Sequence, residues 1–213
     1  MLQVKSFCFN PFQENTYILY GTSKTCVIID PGCYDSSEQE KLSGFITSEG
    51  LRPTHLLNTH GHVDHVFGNK YVAEKYKLSP EINQKDVVVL ESLLQVSRLY
   101  NLHAEASPTP SVFLNEGDQI LVEKSILDIV FTPGHSPGSI CFICHDEHFV
   151  IGGDVLFYES IGRSDLPGGN HETLLQSIKE KLFVLPDDYK VYSGHGPVTT
   201  IGHEKKHNPF LRF

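Results

Sequence analysis

Seven consecutive residues, THGHVDH from Thr59 to His65, hold three histidines and one aspartate. Four such groups on a core strand would be hard to satisfy with hydrogen bonds, whereas imidazole and carboxylate are ready ligands for a divalent cation. Three later segments carry the same chemistry: TPGHSPGS (132–139), IGGDVLF (151–157) and YSGHGP (192–197). Each sets a histidine or aspartate beside glycine at the end of an apolar stretch. A rigid strand fixes such a position, and glycine lets the backbone turn sharply enough to aim one ligand inward.

The set is His60, His62, Asp64, His65, His135, Asp154 and His195. Seven ligands are too many for one tetrahedral zinc, whose catalytic sites use about three plus water. Two ions sharing a carboxylate use seven well. His60 and His62 group with His135, Asp64 and His65 with His195, and the two oxygens of Asp154 bridge them. Two ions roughly 3.5–4 Å apart with a water between them make a site for metal-assisted hydrolysis, because that water ionises near neutral pH. The expected cofactor is therefore two divalent ions per chain, zinc first, with iron and manganese also compatible with these donors. The other seven histidines (His55, His103, His145, His148, His171, His203 and His207) lack the glycine-flanked strand-end setting and read as surface or core groups.

The elements that must position these ligands follow from the pattern between them. Strands are predicted near Val4–Phe9, Thr16–Tyr20 and Cys26–Ile29, the last ending at the turn signal Asp30-Pro31-Gly32. Ser36 and Ser37, with Gln39 and Glu40 three residues on, predict a capped helix that buries Leu42, Phe45 and Ile46 and stops at Gly50. HLLN (55–58) reads as a short buried strand, and a helix over Val66–Tyr76 follows the ligand loop. Residues 86–100, DVVVLESLLQVSRLY, predict one helix whose apolar positions cover more than one face. A core helix packed on two sides is the first reading, and a cap over the site or a dimer contact the second. The second half repeats the rhythm: strands near 112–114, 119–122, 126–131, 139–144 and 148–151, a helix over 171–183 after Asn170 as N-cap, a strand at Lys190–Tyr192 and a helix near 200–207. Strands then a helix, twice, predict two packed sheets with helices outside.

Bulk properties narrow the class. The chain has 213 residues, 39% of them hydrophobic and 20% charged, enough to bury a core without disulfide staples. A net charge of −9 without a lysine- or arginine-rich run argues against nucleic acid as a partner. No stretch approaches the ~18 apolar residues of a membrane span, and the N-terminus lacks a signal-peptide pattern, so a cytoplasmic protein is expected. The five cysteines have no framework spacing. Cys141 and Cys144 form a CxxC, but SICFIC reads as a strand, where residues three apart face opposite ways.

THGHVDH with TPGHSPGS, GGDVLF and SGHGP resembles the metallo-β-lactamase superfamily, and within it the glyoxalase-II-like hydrolases. GRSDLPGG (162–169) and GHGPVTTIGHEKKHNPF (194–210) are similar to its short bacterial members. The resemblance spans nearly the whole chain and implies an α+β fold, an αββα four-layer sandwich of two mixed β-sheets flanked by helices. It implies one hydrolase domain over 1–213, with 80–112 as a helical cap insertion. Carried across, one site is His60, His62, His135 and Asp154, and the other Asp64, His65, His195 and the shared Asp154. The implied reaction is attack of a metal-bridging hydroxide on a small thioester such as a hydroxyacyl-glutathione, with Asp64 orienting the hydroxide as the catalytic carboxylate. Arg163 and Tyr158 are the substrate-binding candidates; an Arg163–Asp165 pair in a structural loop is an equal reading of that arginine. The competing reading is a persulfide dioxygenase with one iron on His60, His135 and Asp154. Phosphodiester hydrolysis would call for a basic arm, which this acidic chain lacks.

Overall fold

The computed structural model describes residues 2–212. The first half forms β1 (Gln3–Phe9), β2 (Glu14–Tyr20), β3 (Thr25–Ile29), α1 (Ser36–Ser48), β4 (Arg52–Leu57), α2 (Val63–Val66), α3 (Asn69–Tyr76) and β5 (Pro80–Ile82). A 3₁₀ turn at Gln84–Asp86 leads into α4 (Val87–Glu91) and α5 (Leu93–Leu99). Then come β6 (Val112–Phe113), β7 (Gln119–Val122), β8 (Ser125–Phe131), β9 (Ile140–Cys144), β10 (Phe149–Gly153), β11 (Leu156–Phe157) and β12 (Ser160–Ile161). α6 (His171–Ser177), a π turn at Ile178–Leu182, β13 (Lys190–Ser193), β14 (Thr199–Thr200) and α7 (Ile201–His207) complete the order.

Two six-stranded mixed sheets result, ordered β1-β2-β3-β4-β5-β6 and β14-β13-β10-β9-β8-β7. Period-two alternation builds three apolar layers from them. Tyr17, Leu19, Val27 and Ile29 of the first sheet meet Leu127, Ile140, Phe142 and Ile151 of the second in the central layer. The intervening Ile18, Ile28 and Leu56 face outward onto Leu42 and Ile46 of α1 and Val72 of α3. On the far side Ile143, Val150 and Val191 pack against Leu174, Ile178, Leu182 and Ile201. The fold is thus two packed sheets with helices outside, as the doubled pattern predicts, in the four-layer αββα arrangement that the family resemblance implies. Cys144 belongs to the central layer and Cys141 to the outer one, so the CxxC is split across the sheet as alternation requires.

Four local readings are corrected. The cap of α1 is Asp35, whose carboxylate accepts from Glu38 N, one residue before the predicted serines. The helix expected over Val66–Tyr76 is two, α2 and α3, parted at Phe67-Gly68. There the Gly68 amide leaves the helix to donate to Pro31 O. The single helix expected over 86–100 divides at Ser92, whose hydroxyl donates to Val89 O and draws the backbone into a tight turn. Only part of it is core: Leu90 and Leu93 pack on Val63, Val66 and Phe67, while Val88 and Leu99 stay 65% and 80% exposed. Finally, α6 keeps its Asn170 cap, with the side chain accepting from Thr173 N, but widens into the π turn after Ser177.

Candidate metal centre

All seven candidate ligands converge at one end of the sandwich. Thr59–His65 follows β4, His135 lies between β8 and β9, Asp154 directly follows β10, and His195 comes after β13 with Gly194 between. Three groups of donor atoms emerge, His60–His62–His135, Asp64–His65–His195, and Asp30–His60–His65, which draws on the first two, each with its atoms within 4.8 Å of one another. In the first, His62 Nδ1 is 2.8 Å and His60 Nε2 is 3.3 Å from His135 Nε2. In the second, His195 Nε2 is 3.1 Å and His65 Nε2 is 3.7 Å from Asp64 Oδ2. Asp154 stands between them, Oδ1 at 3.3 Å from His65 Nε2, Oδ2 at 3.5 Å from His135 Nε2 and 3.6 Å from His195 Nε2.

The far ring nitrogens explain the aim of the near ones. His135 Nδ1 donates to Arg163 O at 2.7 Å, His65 Nδ1 to Asp30 Oδ2 at 3.1 Å, and His195 Nδ1 to Phe12 O at 3.1 Å. The Thr59 hydroxyl gives its single proton to Asp30 Oδ2, so toward His60 Nδ1 it is an acceptor. Each of these rings therefore aims Nε2 at the centre, where, once deprotonated, it offers the lone pair a metal requires. Lone pairs crowded this closely repel unless a cation lies among them. His65 Nε2 and Asp154 Oδ1 are moreover buried without a hydrogen-bond partner, which is costly unless an ion satisfies them. The donor set suits divalent metal.

Electrostatics divides the cluster. Burial, reinforced by the neighbouring imidazoles, holds His60 well below the usual histidine range and His62 down at about 4. Burial also opposes charge on His65 and His195, but the carboxylates of Asp154 and Asp64 outweigh it and raise both. Burial likewise works against ionising Asp64 and Asp154, yet His65 overrides it and holds both acids low. The Gly194 backbone is packed tightly between them: a Cβ there would sit 2.1 Å from Asp154 Oδ1 and 2.6 Å from His65 Cε1.

Two buried carboxylates outside the seven support the loops. Asp30 accepts from Thr59 N at 2.7 Å as well as from Thr59 Oγ1 and His65. Asp86 accepts from Gly61 N at 2.5 Å, Ser136 Oγ at 2.6 Å and Gly138 N at 2.6 Å, tying the His60–His62 loop to the His135 loop. Gly61 passes so close that a Cβ would lie 2.7 Å from Leu90 N. Asp30, read in the sequence only as part of a turn signal, is an acid at the end of β3, and that position is the signal that could have found it. Asp86 carries no such mark, for its partners are 25 to 52 residues away.

The substrate candidates part company. Arg163 borders the cavity over the centre, but its guanidinium makes a bidentate pair with Asp165, at 2.8 Å from both Nε and Nη2. Tyr158 faces away: its ring stacks on His203 at 4.9 Å and lines a separate depression, while Phe157 beside it borders the cavity. Phe157 ends β11 whereas Tyr158 opens the turn to β12, so one position along the chain carries the side chain off the cavity face. Of the remaining histidines, His55 pairs with Glu81, His145 with Tyr189, His148 with Asp188 and His203 with Glu159.

A sandwich of this topology with a histidine–aspartate cluster at one edge defines a metal-dependent hydrolase superfamily. The Metallo-beta-lactamase superfamily profile matches residues 9–195, and the chain belongs to that superfamily. It is 40% identical over 203 residues to the probable metallo-hydrolase YqgX of Bacillus subtilis, covering 94% of this chain and 93% of that one. It is 39% identical over 204 residues to the hydroxyacylglutathione hydrolase GloC of Haemophilus influenzae, with the same coverages. Among solved structures, the BLEG-1 B3 metallo-beta-lactamase superposes with a TM-score of 0.91 at 37% identity, covering 99% of this chain and 100% of that one. TTHA1623 in a di-iron-bound form gives 0.88 at 36%, covering 98% and 100%. ETHE1 from Myxococcus xanthus gives 0.78 at 25%, covering 97% and 83%. Among the described residues no helix is long and apolar enough to cross a membrane.

Proposed function

We propose that the chain is a binuclear metal-dependent hydrolase that cleaves a small thioester, of which a hydroxyacyl-glutathione is one example. The observation that carries this reading is the pair of donor triads joined by the two oxygens of Asp154. Two divalent cations bound there would generate hydroxide near neutral pH and polarise the thioester carbonyl. His60, His62 and His135 would hold one and Asp64, His65 and His195 the other. Asp64, half-buried at the cavity floor, is positioned to accept a hydrogen bond from the attacking water and orient it. No thiol competes as nucleophile: among the described residues no cysteine borders the cavity, and burial pushes the Cys26 and Cys141 thiols up to about 12. The likeness to GloC supports the thioester substrate, and the glyoxalase-II-like pattern of the sequence supports zinc as the metal.

A second reading has one specific support, the likeness to ETHE1: a persulfide dioxygenase with a single iron on His60, His135 and Asp154. The complete Asp64–His65–His195 triad weighs against it, because that reaction leaves those donors without a role. Metal content per chain, measured by plasma mass spectrometry on untagged protein purified without chelator, separates the two. Close to two ions together with thioester hydrolysis supports the first reading. A single iron with oxygen uptake on glutathione persulfide would sink it.

A further inference from the structure

The cavity above the centre has a volume of about 880 Å³, at the upper end of the range for small-molecule sites. One wall is the 80–112 segment, which turns Val88, Val89, Val96, Leu99 and Tyr100 toward the space, with Phe12 set edge-on against Tyr100 at 5.2 Å. The facing wall is Phe157, Ile161, Leu166, Pro137 and Pro167. Among the described lining residues Arg163 is the one permanent cation, and Asp165 engages one edge of its guanidinium, through Nε and Nη2. Arg98, on the same helix as Leu99, does not border the cavity. The Ser92 hydroxyl is likewise occupied by Val89 O.

Val88 and Leu99 are among the most exposed large apolar side chains of the molecule, and both face this cavity. Apolar side chains left open around the mouth of a site mark a place where apolar substrate is buried. A carrier such as glutathione, with two carboxylates and an ammonium, meets the opposite: its charged groups would lose water against valine, leucine and proline, with the Asp165-paired Arg163 the one permanent cation among the described lining residues. We propose that this cavity selects thioesters whose acyl or thiol arm is apolar and uncharged, and that Val88 and Leu99 determine the preference. The inference rests on the thioester reading above and narrows its substrate.

The test compares two substrates on the metal-loaded protein, octanoyl-N-acetylcysteamine (uncharged) and lactoylglutathione (anionic). It also measures calorimetric binding of their inert counterparts, S-octyl-N-acetylcysteamine and S-methylglutathione. With each buried methylene worth roughly fourfold, the apolar member of each pair is expected to be favoured at least about tenfold in kcat/KM and in affinity. Equal or better handling of the glutathione member in both assays overturns the inference and leaves the thioesterase reading intact. Hydrolysis of neither substrate sinks the thioesterase reading; the inference then stands if the octyl thioether still binds tenfold tighter and falls if it does not. The Val88→Lys/Leu99→Lys double variant, at two exposed positions and checked for folding by circular dichroism, should shrink the preference at least about tenfold. A ratio unchanged within twofold would show that this wall does not set it.

Discussion

The two halves of the centre lie side by side yet are built on opposite electrostatic plans. His60, His62 and His135 form an all-imidazole set in which burial keeps His60 and His62 uncharged. Asp64, His65 and His195 form a salt-bridged set in which Asp154 and Asp64 favour imidazolium. His60 and His62 offer lone pairs that need no deprotonation at neutral pH, whereas His65 and His195 must shed protons before they can bind a cation. Ion pairing holds the second set together in their place, which explains how so many titratable groups can be buried at one spot.

Asp154 is the member common to both halves, and its loss should have the largest effect. Asp154→Asn is expected to lower kcat/KM by at least about 10³ and reduce bound metal below two ions per chain, because the amide supplies one neutral oxygen for two sites. Retention of two ions with near-normal rate would show that the halves do not share it. The next step down separates them. His62→Ala and His195→Ala should each lose on the order of 10² in kcat/KM while keeping about one ion, since each opens only its own triad. If either variant loses all metal, the halves are a single cooperative unit and the contrast fails.

Asp86→Asn should act on the imidazole half alone. An amide has one acceptor oxygen where the carboxylate serves Gly61 N, Gly138 N and Ser136 Oγ, so its NH₂ must face one of those donors. Supporting groups of this kind are worth about 10–100-fold in metal affinity, readable by chelator competition. The pH profile tests the other half. His65 and His195 lie above the ordinary histidine value, so protons compete for them at neutral pH, and affinity there should fall about tenfold per pH unit and per proton on acidification. His62, held near 4, stays unprotonated until far lower pH. Dialysis near pH 5.5 should therefore strip one ion and leave a plateau at one. Simultaneous loss of both would contradict the contrast.

Five of the seven candidate ligands, His60, His62, His135, Asp154 and His195, could be grouped from sequence because each sits beside glycine just past a strand, and strand ends in a sandwich share an edge; Asp64 and His65, on α2, were grouped by their place in THGHVDH. His60, His135, Asp154 and His195 come from four separated segments yet needed no long-range information to be grouped. Asp86 did, since it acts on residues 25 and 50 positions away through a fold that periodicity cannot specify. The helix breaks at Phe67-Gly68 and Ser92 were hidden for a related reason. In both places a tertiary or side-chain hydrogen bond, to Pro31 O or Val89 O, overrides continuous helical spacing. The sheet order was legible only as a class, because strand neighbours such as β10 and β13 lie about forty residues apart.

The smallest expected effect sharpens the boundary of the centre at a single peptide bond. Phe157 and Tyr158 are adjacent, one bordering the cavity 6.2 Å from the His195 ring centre, the other stacked outside on His203. Phe157→Ala removes a large apolar group beside the second half and should raise KM several-fold, about what losing part of an aromatic contact is worth. Tyr158→Phe removes only a hydroxyl that points toward Glu159, and the ring keeps its stack on His203. It should leave kcat, KM and metal content within about twofold, as surface changes away from a site do. Steady-state kinetics on the pair decides the matter. A drop in kcat for Tyr158→Phe larger than for Phe157→Ala would place the phenol in the reaction and move the site's edge to the far side of β11.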